Sequence, residues 1–511
     1  MKQISIPIPS GGIVVDKPAE YIDIRSISNG QNIEITRSLV RSRLGSEDVG
    51  ASLGERILGQ IELESGIETY FVRVGLTKAQ VLDKGTLTWT NIHNTVLTAT
   101  EESQVSFAFP LFSADRYLVY TNGVDNIRKY SGTGTDADLG GSPPKCKYLI
   151  DFKGYLVLAH VIDGGTTYFA RVQWSDAGDP EEWDPITSNA GSQDLLDDST
   201  EITGMSRFGD YLTIHKESSI YLGQLVNTSD TFSFTKKEAS GTIANGSIQN
   251  LPDGTQIYLA RDGIRIFNGV TSYLIPSPII EELRDSINPQ WAKRATSVLV
   301  KDLDEYWCGI PIGSQEEPET IYKYNYRTGE VYKDSRPGLM SMALYKKTGD
   351  DSWDSDSDSW DSDTTQWDSI TELALHKQVA FGFEDGLTTL RSSVNNDSGD
   401  AIDSIWDTKD FTIYDIDEAL DLGNMIRWKG MQVWAKGTSV TAYYSTDSGT
   451  TWSLIGSIGL DSDYPTDDET DPLYFDVLSS KIRFRFRNNT ADQSWTLKQY
   501  SIEYSIRERR R

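Results

Sequence analysis

Six β-hairpins of one kind recur along this chain and limit the folds that it can adopt. Each joins an apolar strand through a polar turn to a second, aromatic strand, and many end in glycine. One small sheet cannot bury its own faces, whereas similar sheets packed in a circle can. The pattern therefore predicts a six-bladed β-propeller, with a pair of β-sandwiches as the alternative. The hairpins begin at Tyr117, Tyr155, Tyr211, Ile257, Glu305 and Val379.

Helical periodicity is confined to one segment, residues 279–295, in which apolar residues at helical spacing precede Pro289. Elsewhere, short runs rich in Tyr, Val, Ile and Thr are separated by Asn-Gly, Asp-Gly and Gly-Gly pairs. These pairs accept the positive φ angles of tight hairpin turns. The sequence therefore predicts an all-β protein.

Three regions of the chain differ in pattern. Residues 1–60 are punctuated by Gly and Ser, and we expect an extended N-terminal arm with the first strands. Residues 61–404 contain the hairpins and predict the propeller-like domain. In residues 405–511 the strands are longer and alternate apolar with polar residues, which is typical of a sandwich with one face in water. We expect a separate C-terminal β-sandwich. The arm carries a basic cluster of Arg37, Arg41 and Arg43.

The chain is strongly acidic, with 48 Lys and Arg against 76 Asp and Glu and a net charge of −28. Tight binding to DNA phosphates needs cations that displace counterions, so we expect DNA to pass this protein without specific binding. Cys146 and Cys308 are too few for a disulfide framework, and no signal peptide is recognisable. No stretch reaches the roughly 18 consecutive apolar residues of a membrane span. These features predict assembly in a reducing cytoplasm.

An acidic segment, residues 350–369, contains eight aspartates and no basic residue. Trp353, Trp360 and Trp367 recur in it at every seventh position. Such a segment cannot bury enough surface to fold alone, whereas large aromatic side chains often anchor contacts. We interpret it as a loop whose tryptophans contact a subunit or partner while its aspartates stay in water. A plain spacer is the alternative.

The same segment begins like a calcium-binding loop but departs from it at two diagnostic positions. Ser359 stands where the loop needs glycine, and Thr365 stands where it needs a bidentate glutamate. We therefore predict no dedicated metal site and leave weak divalent binding open. The residues of this anionic channel or surface loop are Asp354, Asp356, Asp358 and Asp361.

The stretch KIRFRFR, residues 481–487, runs against the overall charge. As a strand it would bury Ile482, Phe484 and Phe486 on one face and present a basic stripe on the other. In so acidic a chain, such a stripe can bind acidic surface on another subunit, and an ordinary wet strand face is the equal alternative. The candidate contact residues are Arg483, Arg485 and Arg487.

Residues 445–452, STDSGTTW, match the Asp box of sialidases and raise the possibility of a glycosidase. The box itself is a hairpin turn, in which Asp447 accepts backbone hydrogen bonds and Gly449 takes a conformation closed to other residues. Such enzymes usually carry one box per blade, an arginine cluster and an activated tyrosine, whereas this single box lies outside the hairpin repeats. We predict a turn without catalytic function.

No other enzymatic pattern stands out. The four histidines, His93, His160, His215 and His376, are scattered singly without zinc-ligand spacing. The sequence also lacks a nucleophile elbow and a phosphate loop. We therefore expect a protein without catalytic residues, cofactor or resident metal.

Four sequence motifs stand out together. They are Gly11-Gly12 with Asp16, Pro18, Asn32, Arg43 and Gly45; YTNGVDNIRKYSG from Tyr120; VQWSDAGDPEEWDP from Val172; and DGIRIFNG from Asp262. The most specific is W-S-D-x-G-D-P-x-x-W-D. Taken together, the motifs resemble the tail nozzle proteins of short-tailed bacteriophages, also called tail-hub, tail stabilization or tail tubular B proteins, and the resemblance spans roughly residues 8–455.

This resemblance implies a structural virion protein without enzymatic activity. Its homo-oligomer, expected to be a six-fold ring, would lie below the adaptor and portal, extend the DNA channel and close it until ejection, with tail fibres or spikes attached nearby. An acidic lumen fits this role because it repels the phosphate backbone. The alternatives are a phage tail protein that binds or cleaves glycans and, third, a secreted six-bladed lectin.

Overall fold

The structure is a computed structural model. It describes residues 2–6, 11–36, 39–65, 68–113, 115–226, 230–237, 239–346, 377–416, 425–460 and 472–507. Five short strands lie within the first 60 residues. They are β1 (Lys2–Ile6), β2 (Asn29–Gln31), β3 (Ile33–Thr36), β4 (Leu39–Ser42) and β5 (Ser46–Asp48).

The described residues then form seven four-stranded antiparallel units, each built mainly from consecutive strands. Five of them are separate sheets, and the last two are parts of larger sheets. Each unit is called a sheet below. Sheet one has β6 (Gly59–Ser65), β7 (Glu68–Val74), β8 (Ala79–Asp83) and β9 (Thr88–Asn91). Sheet two has β10 (Ser106–Ala108), β13 (Leu118–Thr121), β14 (Arg128–Tyr130) and β15 (Ala137–Asp138), with a small inserted hairpin of β11 (Leu111–Phe112) and β12 (Asp115–Arg116). Sheet three has β16 (Lys145–Phe152), β17 (Tyr155–Asp163), β18 (Thr166–Trp174) and β19 (Gly191–Asp194).

Sheet four has β20 (Ile202–Phe208), β21 (Tyr211–Lys216), β22 (Ile220–Leu225) and β23 (Phe232–Lys237). Sheet five has β24 (Gln249–Asn250), β25 (Gln256–Ala260), β26 (Gly263–Phe267) and β27 (Ser272–Leu274), followed by the helix α1 (Ile280–Ser286). Sheet six has β28 (Thr296–Val300), β29 (Glu305–Ile310), β30 (Thr320–Asn325) and β31 (Val331–Ser335). Sheet seven has β32 (Leu339–Tyr345), β33 (Gln378–Phe383) and β34 (Thr388–Arg391), and β5 supplies its fourth strand. Four 3-10 turns span Asn245–Ser247, Ala292–Arg294, Lys301–Leu303 and Ile413–Asp415.

The seven sheets are the blades of a closed propeller. Hydrophobic clusters lie between successive blades; for example, Val157 of blade three packs with Ile214 of blade four. The ring closes because Phe71 of blade one shares a cluster with Ala343 and Ala380 of blade seven. Each blade therefore buries its faces against two neighbours, as a circular arrangement requires.

The all-β, propeller-like fold with a C-terminal sandwich is confirmed, but the predicted blade count of six is corrected to seven. The additional blade is the first, β6 to β9. Its hairpin escaped the sequence pattern because Gln60, Glu62 and Glu64 alternate with the apolar residues of β6, so that strand does not read as an apolar run.

The C-terminal region forms a two-sheet sandwich. The short strands β35 (Asn396–Asp397) and β36 (Asp400–Ala401) extend the sheet of blade seven beyond β5. The further strands of the sandwich are β37 (Ser404–Asp407), β38 (Phe411–Thr412), β39 (Met425–Gly437), β40 (Ser439–Ser445), β41 (Ser453–Gly459), β42 (Leu473–Ser479), β43 (Lys481–Asn488) and β44 (Trp495–Arg507). One sheet has the order β3-β4-β44-β39-β42, with β1 also pairing with β44. The other has the order β2-β37-β43-β40-β41, with β38 against β43, and continues into blade six through the parallel pair Gln31 and Lys333.

Residues 1–60 are therefore not an extended arm. β1, β3 and β4 belong to one sandwich sheet, β2 joins the other sheet to blade six, and β5 completes blade seven. These strands are only three to five residues long, so each depends on partners far away in the sequence. Within the described part of the chain, no helix is long and apolar enough to cross a membrane.

Arg73 ties the first blade to the last. Its side chain is fully buried, and its guanidinium lies 3.8 Å from the centre of the Trp89 ring. It donates hydrogen bonds to the carbonyl oxygens of Ala51 (2.8 Å) and Gly386 (3.2 Å) and to Gln80 Oε1 (3.0 Å). Acceptors from blade one, blade seven and the segment that follows β5 thus take the place of water around the buried guanidinium.

We predict that Arg73→Met destabilises the propeller by roughly 3 kcal/mol, because several buried acceptors lose their donor. Urea unfolding followed by tryptophan fluorescence measures the change. Arg261→Met is the matched control, since that side chain is 80% exposed and contacts only Glu217 across an ion pair. Equal effects of the two substitutions would show that Arg73 does not close the ring.

Candidate functional site

The joint between propeller and sandwich is organised around Arg43, which immediately follows β4 and is 2% exposed. Its Nε donates to Asn32 Oδ1 (3.0 Å) and its Nη1 donates to Asp397 Oδ1 (3.0 Å). Arg336, just after blade six, also donates to Asp397 Oδ1 (3.1 Å). The Asp397 carboxylate therefore accepts hydrogen bonds from both Arg43 and Arg336. Burial by itself would raise the pKa of Asp397, but Arg336 and Arg43 hold that pKa well below its usual range.

Asn32 connects three parts of the chain at this joint. Its φ is +55°, a left-handed conformation that Asn tolerates better than most residues. The side-chain Nδ2 donates to the carbonyl oxygen of Asp403 (2.9 Å), and the backbone N–H of Ser335 donates to Oδ1 (2.9 Å). Asn32 therefore links the start of the sandwich, the end of blade six and Arg43.

Two glycines of the N-terminal motif allow close backbone contact. A Cβ on Gly45 would lie 1.8 Å from the carbonyl oxygen of Asn396, a distance that no side chain can occupy. Gly12 has φ +64°, and a Cβ there would lie 3.1 Å from the backbone nitrogen of Val331. Residues 12 and 45 thus fit against blade six and the sandwich only as glycine.

A second charged cluster extends the joint. Glu34 forms ion pairs with Arg391 (2.8 Å) and Arg41 (2.9 Å), and Lys323 lies between Glu34 and the buried Asp334. Burial opposes ionisation of Glu34, but Arg391, Lys323 and Arg41 hold its pKa well below the usual range. The N-terminal strands, blade six and blade seven are therefore fixed by compensated buried charges. Arg37 of the predicted basic cluster lies outside the described residues.

The W-S-D motif, which begins at the last residue of β18, connects blade three to blade two. Glu181 accepts hydrogen bonds from Lys129 Nζ (2.6 Å) and from the backbone N–H of Gly140 (2.6 Å). Gly141 has φ +71°, and a Cβ there would lie 1.7 Å from the carbonyl oxygen of Glu181. Within the motif, Asp176 accepts hydrogen bonds from Asn189. The motif therefore stabilises a contact between blades.

The two shorter motifs build turns. Asn122 Oδ1 accepts the backbone N–H groups of Val124 (3.0 Å) and Asp125 (2.8 Å). In the other motif, Asn268 Oδ1 accepts those of Val270 (3.0 Å) and Thr271 (2.9 Å). Such local side-chain bonds mimic a backbone turn, so each motif fixes the shape of one hairpin.

The basic stripe lies on β43, and its apolar face is buried as predicted: Ile482, Phe484 and Phe486 are fully buried. Its cations, however, are neutralised within the chain. The ion pairs are Arg483 with Asp410 (2.7 Å), Arg485 with Asp407 (2.6 Å) and Arg487 with Asp403 (2.7 Å). Of the two alternatives for the stripe, the acidic partners that a second subunit would have supplied are present beside β37 of the same molecule.

The Asp box is the turn between β40 and β41, as its sequence indicates. Asp447 accepts hydrogen bonds from the Thr451 backbone N–H (2.9 Å) and hydroxyl (2.6 Å), and the Gly449 N–H donates to Ser445 Oγ (2.8 Å). Hydrogen bonds from Thr451 and Ser445 hold the pKa of Asp447 well below its usual range. Asp447 therefore stabilises the hairpin turn through these hydrogen bonds.

The acidic segment with Trp353, Trp360 and Trp367, including Asp354, Asp356, Asp358 and Asp361, lies outside the described residues. Its position in the sequence lies between β32 and β33, the first hairpin of blade seven. Tyr345 and Gln378 pair at the base of that hairpin. Among the residues that are described, no three His, Cys, Asp or Glu side chains are placed to hold a metal ion.

The innermost strands of all seven blades, with adjoining connections, enclose a central cavity of about 300 Å³. Amide and hydroxyl side chains contribute much of its wall, and its charged lining residues are Glu101, Lys147 and Arg294. The connection from blade one to blade two crosses one mouth. There Arg294 donates to the Glu101 carbonyl oxygen (3.0 Å) and Lys293 pairs with Glu102 (3.1 Å). Lys293 and Arg294 lie just before the first strand of blade six. Their contacts with Glu102 and Glu101 hold the connection across this mouth of the cavity and narrow it.

Comparisons with known proteins give only similarities of low sequence identity. No protein-family model and no curated protein matches the chain. Among solved structures, BamB from Moraxella catarrhalis is 12% identical, with 76% of this chain and 97% of that chain covered and a TM-score of 0.37. PorZ, a surface component of the type-IX secretion system of Porphyromonas gingivalis, is 10% identical, with 80% and 46% covered and a TM-score of 0.37.

The extracellular domain of a hybrid two-component system from B. thetaiotaomicron is 9% identical, with 94% of this chain and 62% of that chain covered and a TM-score of 0.44. The chain thus spans less than two thirds of the length of PorZ and of this domain. The blade count and the sandwich follow from the strand pairing of the chain itself.

We predict that Asp397→Asn destabilises the protein by roughly 3 kcal/mol at pH 7, because two buried arginines lose their counter-charge. Since the folded-state pKa of Asp397 is depressed, its stabilisation is complete above the ordinary carboxyl pKa and declines as the pH falls below about 4. The gap between the two proteins therefore narrows on acidification.

Urea unfolding at pH 7, 5 and 3 measures that gap. Asp210→Asn, at a side chain that is 90% exposed, is the matched control and should change little at any pH. A gap that stays constant down to pH 3 would exclude the carboxylate charge as the source of the stabilisation.

Proposed function

We propose that this chain is a ring-forming structural protein of a short-tailed phage tail, a nozzle below the adaptor and portal that extends and closes the DNA channel. The observation that carries the proposal is the location of the N-terminal motif residues. Gly12, Asn32, Arg43 and Gly45, which carry part of the resemblance to tail nozzle proteins, all lie at the joint between propeller and sandwich. The motif thus sets the angle between two domains, which a ring subunit has to keep constant.

The charge of the molecule agrees with DNA that passes without being bound. A net charge of −28 repels phosphates, and the strongest basic row, on β43, is neutralised by aspartates of the same chain. The central cavity of the propeller is narrow, and one mouth is crossed by the Glu101–Glu102 connection. We therefore place the DNA path on the axis of the assembled ring, outside the propeller of each subunit.

A glycan-binding tail protein is the second candidate, and the central cavity favours it. Amides and hydroxyls such as Gln60, Gln249 and Ser206 face a space of about 300 Å³, which suits a small polyhydroxylated ligand. A glycan array with the purified protein tests this candidate, and Gln249→Leu should abolish any signal that arises in the cavity.

The nozzle proposal predicts that the purified chain assembles into about six copies on the adaptor–portal complex of its phage. Native mass spectrometry of the protein, alone and mixed with that complex, measures the stoichiometry. Arg43→Met should weaken assembly because the two domains lose their fixed angle, whereas the exposed-site variant Arg261→Met should assemble normally. A chain that remains monomeric on the complex would contradict the proposal.

The acidic tryptophan segment has its own test. We predict that deletion of residues 351–368 leaves the propeller folded, because the segment lies between two paired strands of one hairpin, and reduces assembly or DNA retention. Particle counts and packaged-DNA assays measure these effects. A Trp→Ser variant at positions 353, 360 and 367 separates the aromatic anchors from segment length. Unchanged assembly and DNA retention in both variants would eliminate a contact role.

A further inference from the structure

One sheet of the sandwich ends at the edge strand β42, whose outward face carries a single charge, Asp476, in an ion pair with Arg427. Among the described residues this strand pairs only with β39. On its outward face, Tyr474 is 74% and Leu478 42% exposed. On its inward face, Phe475 and Val477 are only half-buried, so the core is incompletely covered along this strand. Natural proteins usually protect such an edge with charges, prolines or a bulge, because exposed backbone groups there can pair with another strand.

The opposite edge of the same sheet is β1. Within the described part of the chain it pairs only with β44. Gln3 and Ser5 on its outward face are exposed, while Ile4 on the other face is half-buried. One molecule therefore carries two free strand edges on one sheet, and both have apolar side chains at the margin of the core.

The two edges match in direction. β1, β44, β39 and β42 are neighbours in this part of the sheet, and every pair is antiparallel. β1 and β42 consequently run in opposite directions. If β1 of a second molecule lay against β42, the new pair would again be antiparallel and would continue the sheet without a change of pattern.

The two edge strands also match in register across the sheet. Gly430 of β39 pairs with Tyr474 on one side and with Glu503 on the other, and Glu503 pairs with Gln3. Gln3 and Tyr474 therefore stand at the same level of the sheet. A contact that joins them between molecules introduces little step along the strands, which favours a closed ring over a helical filament.

The sequence segments next to the two edge strands carry opposite charges. Lys2 is exposed on β1, and in the sequence four arginines lie between positions 507 and 511. Six acidic residues lie between positions 461 and 471, which precede β42 in the sequence. Segments of opposite charge favour contacts between unlike edges over contacts between like edges.

We propose that β42 of one subunit receives β1 of a second copy of this chain, so that sandwich sheets join head to tail into a ring. Main-chain hydrogen bonds supply the contact, as in other cases of strand addition, and Ile4 of the incoming strand lies opposite the half-buried Leu473 at the margin of the core. This inference rests on the proposed ring function and names the surfaces that form the ring. The β43 stripe is not needed, since its arginines are already paired.

Disulfide trapping in the full-length protein tests the contact, because a disulfide forms only between residues whose backbones are close. The double variant Gln3→Cys/Tyr474→Cys should give a ladder of covalent oligomers under mild oxidation, and each single variant should give none. Gln3→Cys/Ile186→Cys is the matched control, since Ile186 is 90% exposed on the propeller. Cys146 and Cys308 are buried and should stay unreactive.

The trapping is carried out on the protein alone and on the adaptor–portal complex, beside native mass spectrometry. A ladder from the Gln3/Tyr474 pair alone supports the inference. Rings without that ladder, or covalent dimers of the Tyr474→Cys single variant, overturn it while the ring function stands. A protein that stays monomeric in both conditions overturns the ring function and the inference together.

Discussion

The carboxylate of Asp397 carries much of this architecture, because two buried arginines from different parts of the chain depend on it. Charges removed from water destabilise a fold unless they are paired and hydrogen-bonded. Here Arg43 follows the N-terminal strands and Arg336 follows blade six, and both bind Asp397 in β35. An apolar cluster shared by blades five and six and the sandwich also packs at the joint. The directional ion pairs to Asp397 add a fixed geometry to that apolar contact.

Local patterns in the sequence predicted what depends on neighbouring residues. Alternation in KIRFRFR predicted which face of β43 is buried, and the Asp box predicted a hairpin turn. Local patterns could not predict the counter-charges of the exposed face of β43. Those counter-charges, Asp403, Asp407 and Asp410, lie more than 70 residues earlier in the chain. An alternating basic strand looks the same whether its counter-charges come from a second subunit or from the same molecule.

The N-terminal region shows the same limit more strongly. β2 and β5 are three residues each, too short to give a periodic signal, and their neighbours in the sheets come from positions 331–335, 388–391 and 404–407. The Gly and Ser punctuation of this region predicted an extended arm, although Asn32 and Gly45 each make a close contact at the joint. The blade that the hairpin pattern missed is the first, because polar residues alternate along β6; blade seven was counted from its Val379 hairpin, although nothing in the sequence indicated that β5 completes it.

The interleaving of the two ends of the chain also sets the order of events during synthesis. Lys2 pairs with Tyr504 and β5 lies against β34, so the propeller cannot close until residue 391 has been synthesised, and the sandwich cannot be completed until residue 504 has been synthesised. The N-terminal strands cannot pair until their C-terminal partners have been synthesised. Folding therefore depends on contacts between residues far apart in the sequence and is slow. A prematurely terminated chain lacks β44 and leaves β1 and β4 without their common partner. Incomplete chains are thereby kept from presenting a finished sandwich to anything that assembles with it.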